Sequence, residues 1–290
     1  MKSSAVNIPG ETDSTLTSWL NTTLLVWHLI KDQLKRPFYV IYQRRLTAKA
    51  GSWALPHHIG IIMDGNRRYA RQSGLLDVNE GHARGAEKLH EVLRWCYEFN
   101  ISVVTVWGLS LDNLHRDAME VKGLLDLLER KFRELARNED VHHHQVKVRY
   151  IGKREQLPED LKNAVLAAEE ATAHYTRFVL NIAVAYGGRE EITEAFRNYL
   201  LDQARRGRSI EDVTKDFDSD AIKSYLYTAG LPEPDLIIRT SGETRLSGFL
   251  LWQSAYSEYY FCDTYWPIFR KIDFLRALRS YSQRQRRMGK

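Results

Sequence analysis

The sequence predicts an α/β fold with a central, mainly parallel sheet flanked by helices, and three observations carry that expectation. Short runs rich in Val and Ile recur at 58–63, 101–109, 146–151, 178–185 and 235–238, as strands buried on both faces do. Apolar residues between these runs repeat at helical spacing, and alternating strands and helices assemble into parallel sheets. The apolar fraction of 43% over 290 residues is enough for a substantial core.

Taken in order, the first fifty-odd residues differ in character from the rest of the chain. The stretch 16–30 carries no charged side chain, but Thr17, Ser18, Asn21, Thr22, Thr23 and His28 interrupt it. It falls short of the ~20 apolar residues of a spanning helix. Leu20, Leu24, Trp27, Leu34, Tyr39 and Tyr42, with Lys31, Lys35, Arg36, Arg44 and Arg45 nearby, read as a segment lying on an anionic membrane surface. A helix packed on protein reads equally well. Gly51-Ser52 and Leu55-Pro56 mark a boundary, so 1–55 is expected to be an amphipathic N-terminal segment and 56–290 a folded domain. No secretory pattern of basic patch, apolar run and small-residue cleavage site is found. Cys96 and Cys262 each sit in an apolar stretch without metal-ligand spacing, which predicts buried, reduced thiols in a cytoplasmic protein.

Within the domain, the run 58–63 begins the strands. Leu89, Val92, Leu93 and Cys96 then mark one helix, and Val121, Leu124, Leu125, Leu128, Phe132 and Leu135 mark the one after the second run. The charged stretch 203–220 suits a solvated loop or helix end. His142-His143-His144 and His57-His58 are contiguous, and consecutive side chains do not converge on one zinc ion, so both read as solvated turns.

Ligands of such folds bind beyond the carboxyl ends of the strands. Those positions hold Asp64-Gly65-Asn66-Arg67-Arg68, then Ser110-Leu111-Asp112-Asn113 with Arg116, then Arg239 through Ser247, including Arg245 and Leu246. A carboxylate beside Gly at a helix start suits a divalent cation and phosphate oxygens. Arg239 and Arg245 offer planar forks for phosphate, and Ser247 adds a hydroxyl donor. The formal charge of +5 and pI near 9.1 agree with an anionic partner. No Gly-rich Lys-Ser/Thr loop or spaced-glycine dinucleotide fingerprint is present, and the basic stretch 276–290 has no accompanying nucleic-acid motif.

The segment from His58 through Met63-Asp64-Gly65-Asn66-Arg67-Arg68-Tyr69-Ala70 resembles the opening signature of the undecaprenyl and dehydrodolichyl diphosphate synthases, the cis-prenyltransferases. Gly81-His82 with Gly85, Ser110 to Asn113 with Arg116, Asn181 with Tyr186-Gly187-Gly188-Arg189, and the block from Arg239 to Glu258 resemble the remaining motifs in order. The resemblance spans roughly 56–289 and implies a Mg²⁺-dependent enzyme condensing isopentenyl diphosphate with an allylic prenyl diphosphate. The paired aspartate-rich motifs of trans-prenyltransferases are absent from the sequence.

The same resemblance implies the site roles. Asp64 would position Mg²⁺, with Glu258 as second metal ligand. Gly65, Asn66, Arg67 and Arg68 would hold the allylic diphosphate, with Tyr69 and His82 closing the pocket. Arg239, Arg245 and Ser247, with Leu246 among them, would hold isopentenyl diphosphate, and Ser110, Leu111, Asp112 and Leu114 would complete the substrate site. Asn113, supported by Arg116, stands where the family places proton removal; the departing diphosphate is the alternative base, because a neutral amide is a poor one. Arg287 in Arg287-Met288-Gly289 would reach the isopentenyl site across a homodimer interface. Departures are the lack of arginine over 74–80, Leu114 in place of an aromatic and Asp112 in place of Glu.

The resemblance also implies a hydrophobic product tunnel between the second strand and the helix after it, which Gly108 and Gly123 would leave open where short-chain relatives place a bulky aliphatic residue at the first position, and this favours a medium or long Z-polyprenyl product. The alternatives are a short-chain Z-prenyl diphosphate synthase, a prenyl-coupling or cyclising terpene enzyme on the same fold, and a non-catalytic partner subunit.

Overall fold

The computed structural model describes residues 39–284, which fall into two compact units divided between Gly51 and Ser52. The first is a helix, α1, over 39–50. Most of the N-terminal segment, including Leu20, Leu24, Trp27 and Leu34, lies outside the described residues, as does Arg287.

In the second unit six strands form one sheet: β1 (His58–Ile62), β2 (Val103–Ser110), β3 (Val146–Ile151), β4 (Phe178–Tyr186), β5 (Leu236–Arg239) and β6 (Glu258–Phe261). Their order is β3-β4-β2-β1-β5-β6, and every pairing is parallel. The five expected strands are present within one or two residues of their predicted bounds. β6 is an addition: Glu-Tyr-Tyr-Phe lies half-exposed at the sheet edge and lacks the continuous apolar run of a strand covered on both faces.

The chain steps from β1 to β2 on one side and returns through β5 on the other. The carboxyl end of β1 therefore lies at a topological switch point, where α/β sheets open a crevice.

The helices of this unit are α2 (Asn66–Gln72), α3 (Val78–Glu98), α4 (Ala118–Leu135), α5 (Glu139–His143), α6 (Glu159–Thr172), α7 (Gly188–Arg205), α8 (Ile210–Lys215), α9 (Ser219–Lys223) and α10 (Lys271–Gln283). α3 and α4 begin at Asp77 and Asp117, whose carboxylates accept from N–H groups of the first turn, caps that contribute about 1 kcal/mol each. Val92, Leu93 and Cys96 of α3 join Leu124, Phe132 and Leu135 of α4 over Ile59, Ile61, Val104 and Val106 of the sheet. A second cluster of Ile62, Ile151, Ala183, Tyr186, Ile237, Phe249 and Leu250 packs separately. The sheet is thus buried through its central strands.

Two local expectations are corrected. The stretch 203–220 holds the end of α7, all of α8 and the start of α9, because Val213 is buried with Ala195, Tyr199, Ile222 and Leu226. His58 is not a solvated turn but a fully buried residue of β1. Its Nδ1 lies 2.7 Å from the Pro232 carbonyl and its Nε2 2.8 Å from Thr105 Oγ1. The Asn181 amide donates to the same hydroxyl at 2.8 Å, so the ring is neutral with its proton on Nδ1. Burial depresses its pKa to about 4. Cys96 and Cys262 are both buried free thiols.

Candidate active site

Asp64 stands two residues beyond the end of β1, and its backbone is tied at three points. Its N–H donates to the Ile62 carbonyl at 2.9 Å, while its carbonyl accepts from Trp266 N–H at 3.0 Å and Thr240 Oγ1 at 2.6 Å. Gly65 then turns the chain into α2 at φ 105°. Only glycine fits, since a Cβ there would sit 2.8 Å from Tyr265 Cδ1 in a conformation L residues avoid.

The Asp64 carboxylate meets Arg239 Nη2 through Oδ2 at 2.8 Å and Arg68 Nη2 through Oδ1 at 3.2 Å. Burial alone would raise its pKa, but Arg239, Ser241 and Arg68 together hold it below the ordinary carboxylate value. At the end of β5, Arg239 Nη1 donates to Ser247 Oγ at 2.9 Å and to the Arg245 carbonyl. Ser241, Gly242 and Ser247 all have positive φ in the loop between, which folds Arg245 and Ser247 back toward Arg239. Glu243 in this loop accepts from Arg68 at 3.1 Å and pairs with Arg245.

After β2, Ser110 Oγ accepts from the Asn113 N–H at 3.2 Å. Arg116, Arg67 and His82 gather around Glu120 of α4. Burial lowers the His82 pKa, against the pull of Glu120.

These ends surround a polar cavity of about 420 Å³. Of the expected site residues it is lined by Asp64, Gly65, Asn66, Arg67, Arg68, His82, Ser110, Asp112, Asn113, Arg116, Arg239, Arg245 and Ser247. Asn66 Oδ1, Arg67 Nε, Trp107 Nε1 and Arg239 Nε are buried there without a hydrogen-bond partner, a condition buried polar atoms seldom keep unless a ligand or water completes them.

A second cavity, of about 80 Å³, lies between α3 and α4 and is lined mainly by Leu89, Leu93, Leu127, Leu128, Phe132, Leu135 and Ile182. It shares Met63, Asn66, His82, Gly108 and Leu124 with the polar cavity.

Other expected residues lie elsewhere. The Tyr69 hydroxyl accepts from Arg84 at 2.7 Å, and the ring lies beneath the same guanidinium. Leu114 packs on the main core and Leu246 against the Ile62 cluster. Leu111 lines an adjoining cavity of about 360 Å³ with Trp107, Tyr186, Gly187 and Gly188.

Glu258 does not reach Asp64 within one chain. It starts β6, pairs with Leu236 and bonds Arg284. Leu236 is level with Ile59, three residues short of Ile62, so Glu258 stands at least about 10 Å back along the strands. Gly123 also departs from expectation: a Cβ there would strike the Asn79 side chain at 2.4 Å, and it lines neither cavity. Glu120 and Trp107 carry no motif of their own, and Glu243 falls inside the block from Arg239 to Glu258 with no role expected of it; only the Asp117-x-x-Glu120 capping spacing marks Glu120 in the sequence.

Magnesium uses one or two carboxylates plus phosphate oxygens and retained waters. No three His, Cys, Asp or Glu side chains converge among the described residues, while Asp64 is one ionised, partly exposed carboxylate on the cavity wall. The donors fit an ion shared with a phosphate ligand, not a protein cage.

A family model described as putative undecaprenyl diphosphate synthase matches residues 62–289. An isoprenyl transferase of Thermus thermophilus is 50% identical over 257 residues, covering 89% of this chain and 97% of its own. A (2Z,6E)-farnesyl diphosphate synthase of Thermobifida fusca is 49% identical over 256 residues, covering 88% and 98% respectively. The crystal structure of lavandulyl diphosphate synthase from Lavandula x intermedia, in complex with dimethylallyl diphosphate, superposes with a TM-score of 0.74 at 35% identity. That match covers 81% of this chain and 99% of the other.

Proposed function

The chain belongs to the undecaprenyl diphosphate synthase family, the cis-prenyltransferases, and we propose that it joins isopentenyl diphosphate to an allylic prenyl diphosphate in the polar cavity. The observation that carries this reading is the adjacency of two cavities that share Gly108, Met63 and Leu124 in their walls: one is lined by arginines, the other by leucines. That pairing suits a diphosphate head on a hydrocarbon tail.

On this reading the allylic diphosphate lies against Asn66, Arg67, Arg68 and His82, and isopentenyl diphosphate against Arg239, Arg245 and Ser247. Fixing both partners supplies catalysis by orientation. The allylic C–O bond breaks, the isopentenyl double bond attacks the freed carbon, and a proton leaves the isopentenyl chain. Guanidinium forks aimed at the departing diphosphate stabilise its growing charge more than the ground state. Asp64 would hold Mg²⁺ together with diphosphate oxygens, and the bound ion supplies charge neutralisation to the leaving group. Asn113 orients the proton, and the departing diphosphate accepts it, since the amide is the weaker base.

Three further parts of the reading concern assembly and product. A homodimer, completing the site from a second copy, accords with Glu258 standing away from Asp64 of its own chain. Peripheral contact with a membrane through the N-terminal segment would receive a lipid-soluble product. No helix among the described residues is long and apolar enough to cross a membrane. The product is a medium or long Z-polyprenyl diphosphate; the small volume of the apolar cavity favours a short-chain product as the second reading. Incubating purified protein with Mg²⁺, radiolabelled isopentenyl diphosphate and geranyl, farnesyl or geranylgeranyl diphosphate tests the whole reading. Labelled prenyl chains are expected, and no incorporation with any primer refutes it.

A further inference from the structure

Glu120 lies on α4 with its side chain 5% exposed, and one of its oxygens gathers groups from three parts of the chain. Arg116 Nη1 of the turn before α4 donates to Oε1 at 3.1 Å and His82 Nε2 of α3 lies within hydrogen-bond reach at 3.4 Å, while Arg67 Nε of α2 stands at ion-pair distance, 3.2 Å, without a hydrogen bond. Asp117 fixes the first turn of α4 from behind by accepting from the N–H groups of Met119 and Glu120.

A structural ion pair needs one cation for one carboxylate. Here two permanent cations share a single buried anion, so positive charge is left over. Arg67, Arg116 and His82 all line the polar cavity, which directs that surplus at a ligand. A free arginine side chain loses rotamer entropy when a ligand fixes it. Holding two of them before the ligand arrives removes part of that cost from binding.

We infer that Glu120 is a positioning residue for the allylic diphosphate, holding Arg67, Arg116 and His82 turned into the cavity of the free enzyme, an inference that rests on the proposed reading of that cavity. Glu120 touches no substrate; it acts through these three groups. The isopentenyl groups Arg239, Arg245 and Ser247 are held by other partners, Asp64 and Glu243 among them, so the loss of Glu120 is felt on one substrate only.

Glu120→Gln keeps the shape and removes the charge. It is expected to raise the allylic KM at least about tenfold and leave the isopentenyl KM within about twofold. Glu120→Asp, one methylene shorter but charged, is expected to raise the allylic KM about threefold, and it replaces the Gln variant if that one does not fold. An unchanged allylic KM, or equal rises for both substrates, overturns the inference. Wild-type turnover is the control for the cavity reading, and its absence overturns that reading instead. Calorimetric titration with inorganic diphosphate then still tests Glu120: the wild type should bind at least about tenfold more tightly than Glu120→Gln, and equal affinities refute the positioning role.

Discussion

Asp64 and Arg239 tie the carboxyl ends of neighbouring strands β1 and β5, with Oδ2 accepting from Nη2 at 2.8 Å. The Arg239 side chain is 6% exposed, so this pair is structural as well as chemical. From the sequence, Asp64 reads as a loop carboxylate whose removal spares the fold. Asp64→Ala should instead abolish condensation and also cost about 1–3 kcal/mol, because a buried guanidinium loses its counter-charge. Asp64→Asn, which keeps an acceptor, should lose activity with less loss of stability. Urea unfolding beside turnover measurements separates the two effects, and near-native turnover by either variant in Mg²⁺ would sink the site.

The pair also sets a lower limit in pH. Its depressed pKa means that the Asp64 contribution is present above the ordinary carboxylate value and is lost as pH falls through the lower, native one.

His58 acts sooner. Its pKa in the native state is about 4, against about 6.5 in an unfolded chain. Between those values the unfolded state binds a proton that the native state does not, so stability falls with acidity. The loss approaches about 1.4 kcal/mol per pH unit across that window and levels off below it, as His58 itself protonates. NMR should show one imidazole untitrated down to pH ~4.5, with urea midpoints falling over the same range. An imidazole titrating near its ordinary value would disprove the buried neutral ring.

Arg245 is mostly exposed and paired with Glu243, which also holds Arg68. Arg245→Ala should raise the isopentenyl KM by about tenfold or more, with a much smaller change for the allylic primer. Steady-state kinetics with each substrate varied in turn checks this. Equal rises would show that the loop serves both diphosphates and that the division of the cavity is wrong.

How far the sequence could be read depends on burial. Strands covered on both faces must be apolar throughout, so β1 to β5 announce themselves as Val and Ile runs, whereas β6 at the edge is free of that demand. The arginines at the strand ends are legible because strand polarity fixes where a ligand sits. Glu258 misleads within one chain, since its motif says nothing of strand register, and register sets it back from Asp64. Glu120 is hidden for a related reason: its three partners lie 53, 38 and 4 positions away in the chain, and only packing of α2, α3 and α4 brings them to one oxygen.

On the proposed reading, product length is set beside Gly108. The residue lies where β2 slips register against β4, between Trp107 and Leu109, and it lines both the polar and the apolar cavity. A Cβ built there would make only ordinary contacts, 3.4 Å from the Ala183 carbonyl and 3.6 Å from Leu128 Cδ2. Close packing therefore does not demand glycine, and a larger side chain would project toward Leu128, which lines the apolar cavity. The apolar cavity of about 80 Å³ holds on the order of three waters at about 30 Å³ each. A methylene is about as large as a water, so fifteen carbons already require α3 and α4 to spread. Filling the space beside Gly108 opposes that spreading with overpacking strain of about 1–3 kcal/mol. Gly108→Leu should then stop elongation earlier, shifting products by at least one five-carbon unit, whereas Gly108→Ala should shift them little. Gly123, turned toward Asn79, should not affect length at all. Thin-layer or reverse-phase sizing of the labelled chains decides, and an unchanged distribution in Gly108→Leu would place the floor of the tunnel elsewhere.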